Sequence, residues 1–261
     1  MAHKEFYDKF DVGAEKCKDN CTEKVDTALV SINDTDGLRN KIEAAWYYVS
    51  YMYKGKDNSS NDAPCHFLYY WIGHELFESP ASGNSNVSLQ AICSAINDTY
   101  QNHKCEIACA PIDKEEFDER KIINDFSYDF SNIKEYLQHY NNNHNTDFNT
   151  YIDKVQAATK FMDAKCGGTE GGYCKQFWPN HKDDIQKKLQ DLKTELTTAQ
   201  ERIAEATKAA QTAASLAKDE AVRSATTTSS LSSIFGTLVT TTLVPFLLYK
   251  VSNKKFQNLK K

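Results

Sequence analysis

Nineteen consecutive residues, Leu231 to Tyr249 (LSSIFGTLVTTTLVPFLLY), carry no charge. At about 1.5 Å of rise per residue, a helix of that length matches the roughly 30 Å hydrocarbon core of a bilayer, and the run predicts a single transmembrane helix. Thr240, Thr241 and Thr242 can return their hydroxyls to the helix backbone, and Pro245 is tolerated because lipid-embedded helices accommodate a local kink. The alternative is a buried helix of a soluble protein. Five lysines (Lys250, Lys254, Lys255, Lys260, Lys261) follow within twelve residues, against Lys218 and Arg223 in the comparable stretch before Leu231. That asymmetry predicts a cytosolic tail, 250–261, with the large body on the other side of the membrane.

The opening residues argue differently. MAHKEFYDKF (Met1 to Phe10) has neither an apolar run nor a small-residue cleavage site, so no ordinary signal peptide is expected. Either the late span directs targeting, or the body is cytosolic and the chain is tail-anchored. Charge narrows the partners. The formal net charge is −5, and setting aside the five tail lysines leaves −10 on the 233 residues before Ile234. An acidic body without clustered Lys and Arg excludes a nucleic-acid surface.

All eight cysteines (Cys17, Cys21, Cys65, Cys93, Cys105, Cys109, Cys166, Cys174) lie upstream of the apolar run. An even count confined to one side predicts oxidation and makes all eight disulfide candidates. The most local pairing is Cys166 with Cys174, across a Gly-rich loop. Cys17/Cys21 and Cys105/Cys109 are each four apart, where a bridge within a helix would be strained, so bridges to other segments are expected. Metal binding is the competing use, with His66 beside Cys65 and His103 near Cys105, but the pairs lack Gly-rich knuckles and no metal site is predicted. Buried free thiols would suit a cytosolic body.

Upstream of the span the pattern is helical. Leu38, Ile42, Ala45, Trp46, Val49 and Tyr53 fall on one face. After a polar loop, Gly55 to Pro64, whose proline is expected to break the helix before Cys65, His66 to Phe77 is apolar nearly all round and reads as central. A second loop, Ser79 to Asn86, precedes the stripe Leu89, Ile92, Cys93, Ile96 and Tyr100. Asp113 with Glu116 forms a capping-box pattern, and helix is predicted from Phe117 to Tyr140. Beyond Asn141 to Asn145 the stripe Phe148, Tyr151, Ile152, Val155, Ala158 and Met162 resumes it. The aromatic stripes read as core, with no cofactor pocket.

After Trp178 and Pro179 a heptad continues without a break. Ile185, Leu192, Ala199, Ala206 and Ala213 take one seam position, and Leu189, Leu196, Ile203, Ala210 and Ala217 the other. The predicted helix, about 183–225, would be roughly 60 Å long. Its seam weakens from Leu and Ile to Ala, which suits packing against another helix or a semi-rigid stalk, with self-association through the heptad as a lesser use. The expected organisation is therefore all-α: a disulfide-stabilised helical ectodomain (1–180), a long Ala-rich heptad helix (181–225), a linker (226–233), the transmembrane helix (231–249) and the basic tail.

Catalytic and cofactor motifs are missing from the sequence. His74-Glu75 does not continue to HExxH, GGTEGG lacks the Lys-Ser/Thr of a phosphate loop, and no GxSxG occurs. No catalytic residue and no cofactor are predicted. Asn20, Asn33, Asn58, Asn86 and Asn97 head glycosylation triplets that an Asn-rich chain also generates by chance.

Cys65 followed by Tyr69-Tyr70-Trp71-Ile72-Gly73 resembles the C-x3-xYW-[IL]-G core of the Plasmodium interspersed repeat (PIR) proteins, and SSIFGTLVTTTLVPFLLYK (Ser232 to Lys250) is similar to that family's membrane span. The resemblance makes Cys65, Tyr70, Trp71, Ile72 and Gly73 the family-motif core. It implies a variant antigen of a malaria parasite with a mostly helical, disulfide-stabilised ectodomain, one late span and no usual signal peptide, exported to the infected red cell or its surface. It implies no ligand. The expected function is a non-enzymatic antigen acting in immune evasion, adhesion or host-receptor binding, with the three polar loops as its variable contact surface. The alternative is a cytosol-facing, tail-anchored trafficking or tethering protein that recruits a partner through the heptad helix.

Overall fold

The structure, a computed structural model, describes residues 3–12, 29, 37–53, 62–78, 85–139, 145–168 and 171–227. Among these residues the regular structure is all helical, with no strand. A π-helical turn, His3–Tyr7, runs into α1 (Asp8–Val12). There follow α2 (Leu38–Tyr53), α3 (Ala63–Glu78), α4 (Ser85–Tyr100), a 3-10 turn (Gln101–His103), α5 (Lys114–His139), α6 (Asn145–Cys166), α7 (Gly172–Gln176) and α8 (Trp178–Thr227).

Helical periodicity explains the first core. The six apolar residues spaced along α2 are its buried residues, and the stripe of α4, Leu89 to Tyr100, is buried as well. Helix α3 has no such stripe. It packs against α2, α4 and α5 and buries Cys65, Phe67, Leu68, Tyr69, Tyr70, Trp71, Ile72, Gly73 and Leu76, as expected of a central helix. Helix is interrupted ahead of Cys65 as expected, the earlier helix ending at Tyr53, but the new one already opens at Ala63, ahead of Pro64. The proline sits buried in the first turn of α3, where the N–H it lacks would have no intrahelical partner in any case.

Helix α5 begins with half of the predicted capping box. The Glu116 N–H donates to Asp113 Oδ1 at 2.8 Å, but the Glu116 carboxylate, instead of returning to Asp113, takes up Arg120 and Lys165. The second core lies among α5, α6 and the first part of α8. Tyr136 meets Phe148 and Glu116 meets Lys165, so α5 and α6 run antiparallel. Gln156 pairs with Lys193 and Asp163 with Gln186, so α6 and α8 do too. Lys134 and Gln138 of α5 reach Asp191 and Glu195 of α8 in the same order, which makes those two helices parallel.

The heptad divides. Ile185, Leu189, Leu192, Leu196 and Ala199 are buried, whereas Ala206, Ala210, Ala213 and Ala217 are exposed. The first compact unit runs to Ala204, and Glu205 opens the second. The body therefore extends beyond the 180/181 division suggested by composition, because Ile185 to Leu196 offer enough apolar surface to join the core while an alanine methyl offers little.

Several expectations fall outside the described residues: the span Leu231 to Tyr249, the tail, most of the linker, Cys17, Cys21, and 55–61, 79–84 and 141–144 of the three loops. At the loop ends, Ser85 and Asn86 belong to α4 and Asn145 opens α6. No helix among the described residues is long and apolar enough to cross a membrane.

Candidate functional site

The family-motif residues form a packing centre. Tyr70 and Tyr69 lie edge to face at 5.1 Å, and both rings meet Phe117 of α5. Gly73 is required beneath that ring, because an added Cβ would collide with Phe117 Cε2 and Cζ. Ile72 is fully buried. Trp71 stacks edge-on against Phe10 at 5.7 Å and donates from Nε1 to Asp11 Oδ1 at 2.8 Å. The motif thus fastens three elements, α1, α3 and α5, by shape together with one indole hydrogen bond.

Cys65, the first motif residue, is bonded to Cys105. The chain from Cys105 to Asp113 is non-helical, and alternate residues stitch this strap to the helices beneath. Cys105 goes to Cys65 of α3, and Cys109 goes to Cys93 of α4. Between them Ile107 is held at both backbone groups by Asn97: Ile107 N donates to Asn97 Oδ1 at 2.9 Å, and Asn97 Nδ2 donates to Ile107 O at 2.8 Å. Asn97 therefore uses its amide to hold the strap, which is at odds with its carrying a glycan. Cys166 and Cys174 close the third disulfide, between α6 and α7. Sulfurs committed to these bonds are lost to the competing metal reading, since metal ligation needs thiolates.

The strap roofs one side of a cavity of about 890 Å³. Its lining includes Tyr70 of the motif, Tyr173 of α7, His66, His181, and the exposed acids Asp62, Asp98 and Glu106. Both tyrosines are 6% exposed. Burial pushes both phenols above their ordinary range and pushes the His66 imidazole down, against the pull of Asp62, whose Oδ2 lies 3.7 Å from Nε2. Behind Tyr173 the buried Arg120 stacks on its ring at 4.1 Å to the centroid and pairs with Glu116. The sequence offered no signal for Tyr173, Arg120 or His181, and it marked Asn97 only as the head of a glycosylation triplet, not as the residue that holds the strap.

The motif and span that suggested a family are matched by a family description as a whole. The family model for the Plasmodium vivax Vir protein covers residues 2–255. The chain belongs to the Vir family. No curated protein and no solved structure matches it. In this Vir chain the match runs through both cores, the strap and the apolar run at 231–249. Within the family frame the described part of the molecule is a cross-linked helical scaffold with one large polar cavity.

Proposed function

We propose that this chain is a variant antigen displayed by a malaria parasite on an exported membrane, with its helical body outside and the short basic tail in the cytosol. Family membership supports a Plasmodium variant antigen in general terms. The finer reading, a non-enzymatic role in immune evasion, adhesion or host-receptor binding, draws on the three disulfides among the described residues. Such bonds persist in oxidising compartments and are rare in the cytosol. The nineteen uncharged residues at 231–249 and the five lysines after them supply the anchor and its orientation. Self-association through the exposed alanine seam of α8, and binding of a host cell-surface receptor by the body, belong to the same proposal.

The test is topology in infected red cells. With an epitope at the C-terminus, protease added outside intact cells should remove the body and leave a short tagged fragment protected. A tagged chain that stays full length until the cell membrane is opened would favour the tail-anchored, cytosol-facing alternative.

A further inference from the structure

Helix α8 changes character along its length. Ile185, Leu189, Leu192, Leu196 and Ala199 are buried. Arg202 closes this half, donating from Nη1 to Gln138 O at 2.8 Å and from Nη2 to Leu137 O at 2.9 Å at the end of α5. From Ala204 to Arg223 every residue is exposed, including the large apolar side chains Leu216, at 65%, and Val222, at 56%. The change falls where the first compact unit ends, at Ala204.

A helix in water draws most of its stability from the face it buries, and without one it opens locally at little cost. Unwinding around Leu192 brings wholly buried apolar surface into water, whereas unwinding around Ala213 exposes little that is not exposed already. An endoprotease takes its substrate extended, so cleavage inside a helix follows the population of the opened form. Three basic residues, Lys208, Lys218 and Arg223, stand in the exposed half.

We propose that the exposed half of α8 is a cleavable neck, at which an endoprotease that cuts after basic residues separates the body from the C-terminal part of the chain. Water adds across one peptide bond, leaving a new carboxylate on the body and a new amine on the tail fragment. The body gives up nothing that holds it together. After a cut at Lys208, the helix keeps its backbone hydrogen bonds up to the one that the Lys208 N–H donates to Ala204 O. Arg202 keeps its hold on α5, and the three disulfides among the described residues all lie upstream. Release of the body from a membrane rests on the anchor proposed for 231–249, whereas cleavage of the neck does not.

The test is brief trypsin digestion of the full-length oxidised chain in detergent, with the rate of appearance of each new amino terminus followed by mass spectrometry. Termini at Ala209, Asp219 and Ser224 should form at least about a hundredfold faster than termini at Leu189 and Thr194, which need cuts after Lys188 and Lys193 in the packed half of the same helix. Amide hydrogen exchange should be fast across 205–223 and slow across 185–199, and cleavage of the neck should leave the slow stretch slow. Equal rates of cutting in the two halves would overturn the proposal. So would protection of the neck, as pairing of alanine faces between two copies would give, or exchange across 185–199 that quickens once the neck is cut. No membrane enters the experiment, so its result and that of the topology test are independent.

Discussion

The two cores bury helices by different means. The first, around α1 to α4, is aromatic: Phe6, Phe10, Trp46, Phe67, Trp71 and Phe117 interlock, and two disulfides tie a non-helical strap across it. The second, among α5, α6 and α8, is mainly aliphatic, with Ile123, Val155, Ile185 and Leu192 along regular helical seams and one short-range disulfide at its end. Aliphatic seams between antiparallel neighbours follow from local periodicity and tolerate small adjustments. Aromatic rings require matched shapes brought from distant positions, and there the covalent bonds close the longer loops. The difference separates a part of the molecule that resists change through covalent closure from one that depends on continuous apolar contact.

The sharpest way to break that comparison is to remove the bridges. Replacing Cys65 and Cys105 with alanine opens a loop of sequence separation 40 and should cost about 4 kcal/mol by chain-entropy reasoning. The same change at Cys166 and Cys174, separated by 8 residues, should cost about 2.5 kcal/mol. Denaturant unfolding of both variants measures the order, and a reversed order would place the greater covalent contribution in the second core. Next, Leu192→Ala should lose about 3 kcal/mol, since Leu192 is fully buried. Ala213→Gly, further along the same helix but exposed, should lose no more than about 1 kcal/mol, the propensity cost alone. Equal losses would mean that the alanine half of the seam is also packed.

Gly73→Ala should destabilise the chain by about 2 kcal/mol, because Phe117 is wholly buried and has no room to yield. Thermal unfolding that matches the unsubstituted chain would show that the aromatic core can readjust after all. The smallest effect is pH-dependent. Burial depresses the His66 pKa below its ordinary value of 6.5, so the unfolded chain binds the proton first as pH falls. Stability should be fully present above 6.5 and decline as pH drops from there toward the folded pKa. His66→Gln should flatten that part of the stability profile, and an unchanged slope would assign it to other groups.

The helical faces were legible because a period of 3.6 residues requires only local information. Every member of the Leu38 to Tyr53 stripe is buried. The heptad was legible as a repeat, but its extent of burial was not, since Leu192 and Ala213 satisfy the same pattern while differing in the apolar area they offer. The Cys105/Cys109 spacing pointed away from an internal bridge. It did not reveal that this stretch is an extended strap whose alternate residues address different helices. The cavity was the least legible feature. Tyr70 stands in the family motif, but its neighbour Tyr173 arrives from α7, and no sequence period links the two. Pro64 marks a break between helices but belongs to the new helix rather than to the loop, because proline is accommodated in a first turn.

The central claim is that the body is an oxidised scaffold in which the strap is bonded to α3 and α4. It is tested most directly by mapping disulfides in the chain isolated from infected cells, with thiols blocked at lysis and peptides analysed without reduction. The account predicts linked peptides for Cys65–Cys105, Cys93–Cys109 and Cys166–Cys174. Blocked, unlinked thiols at those six positions would contradict it.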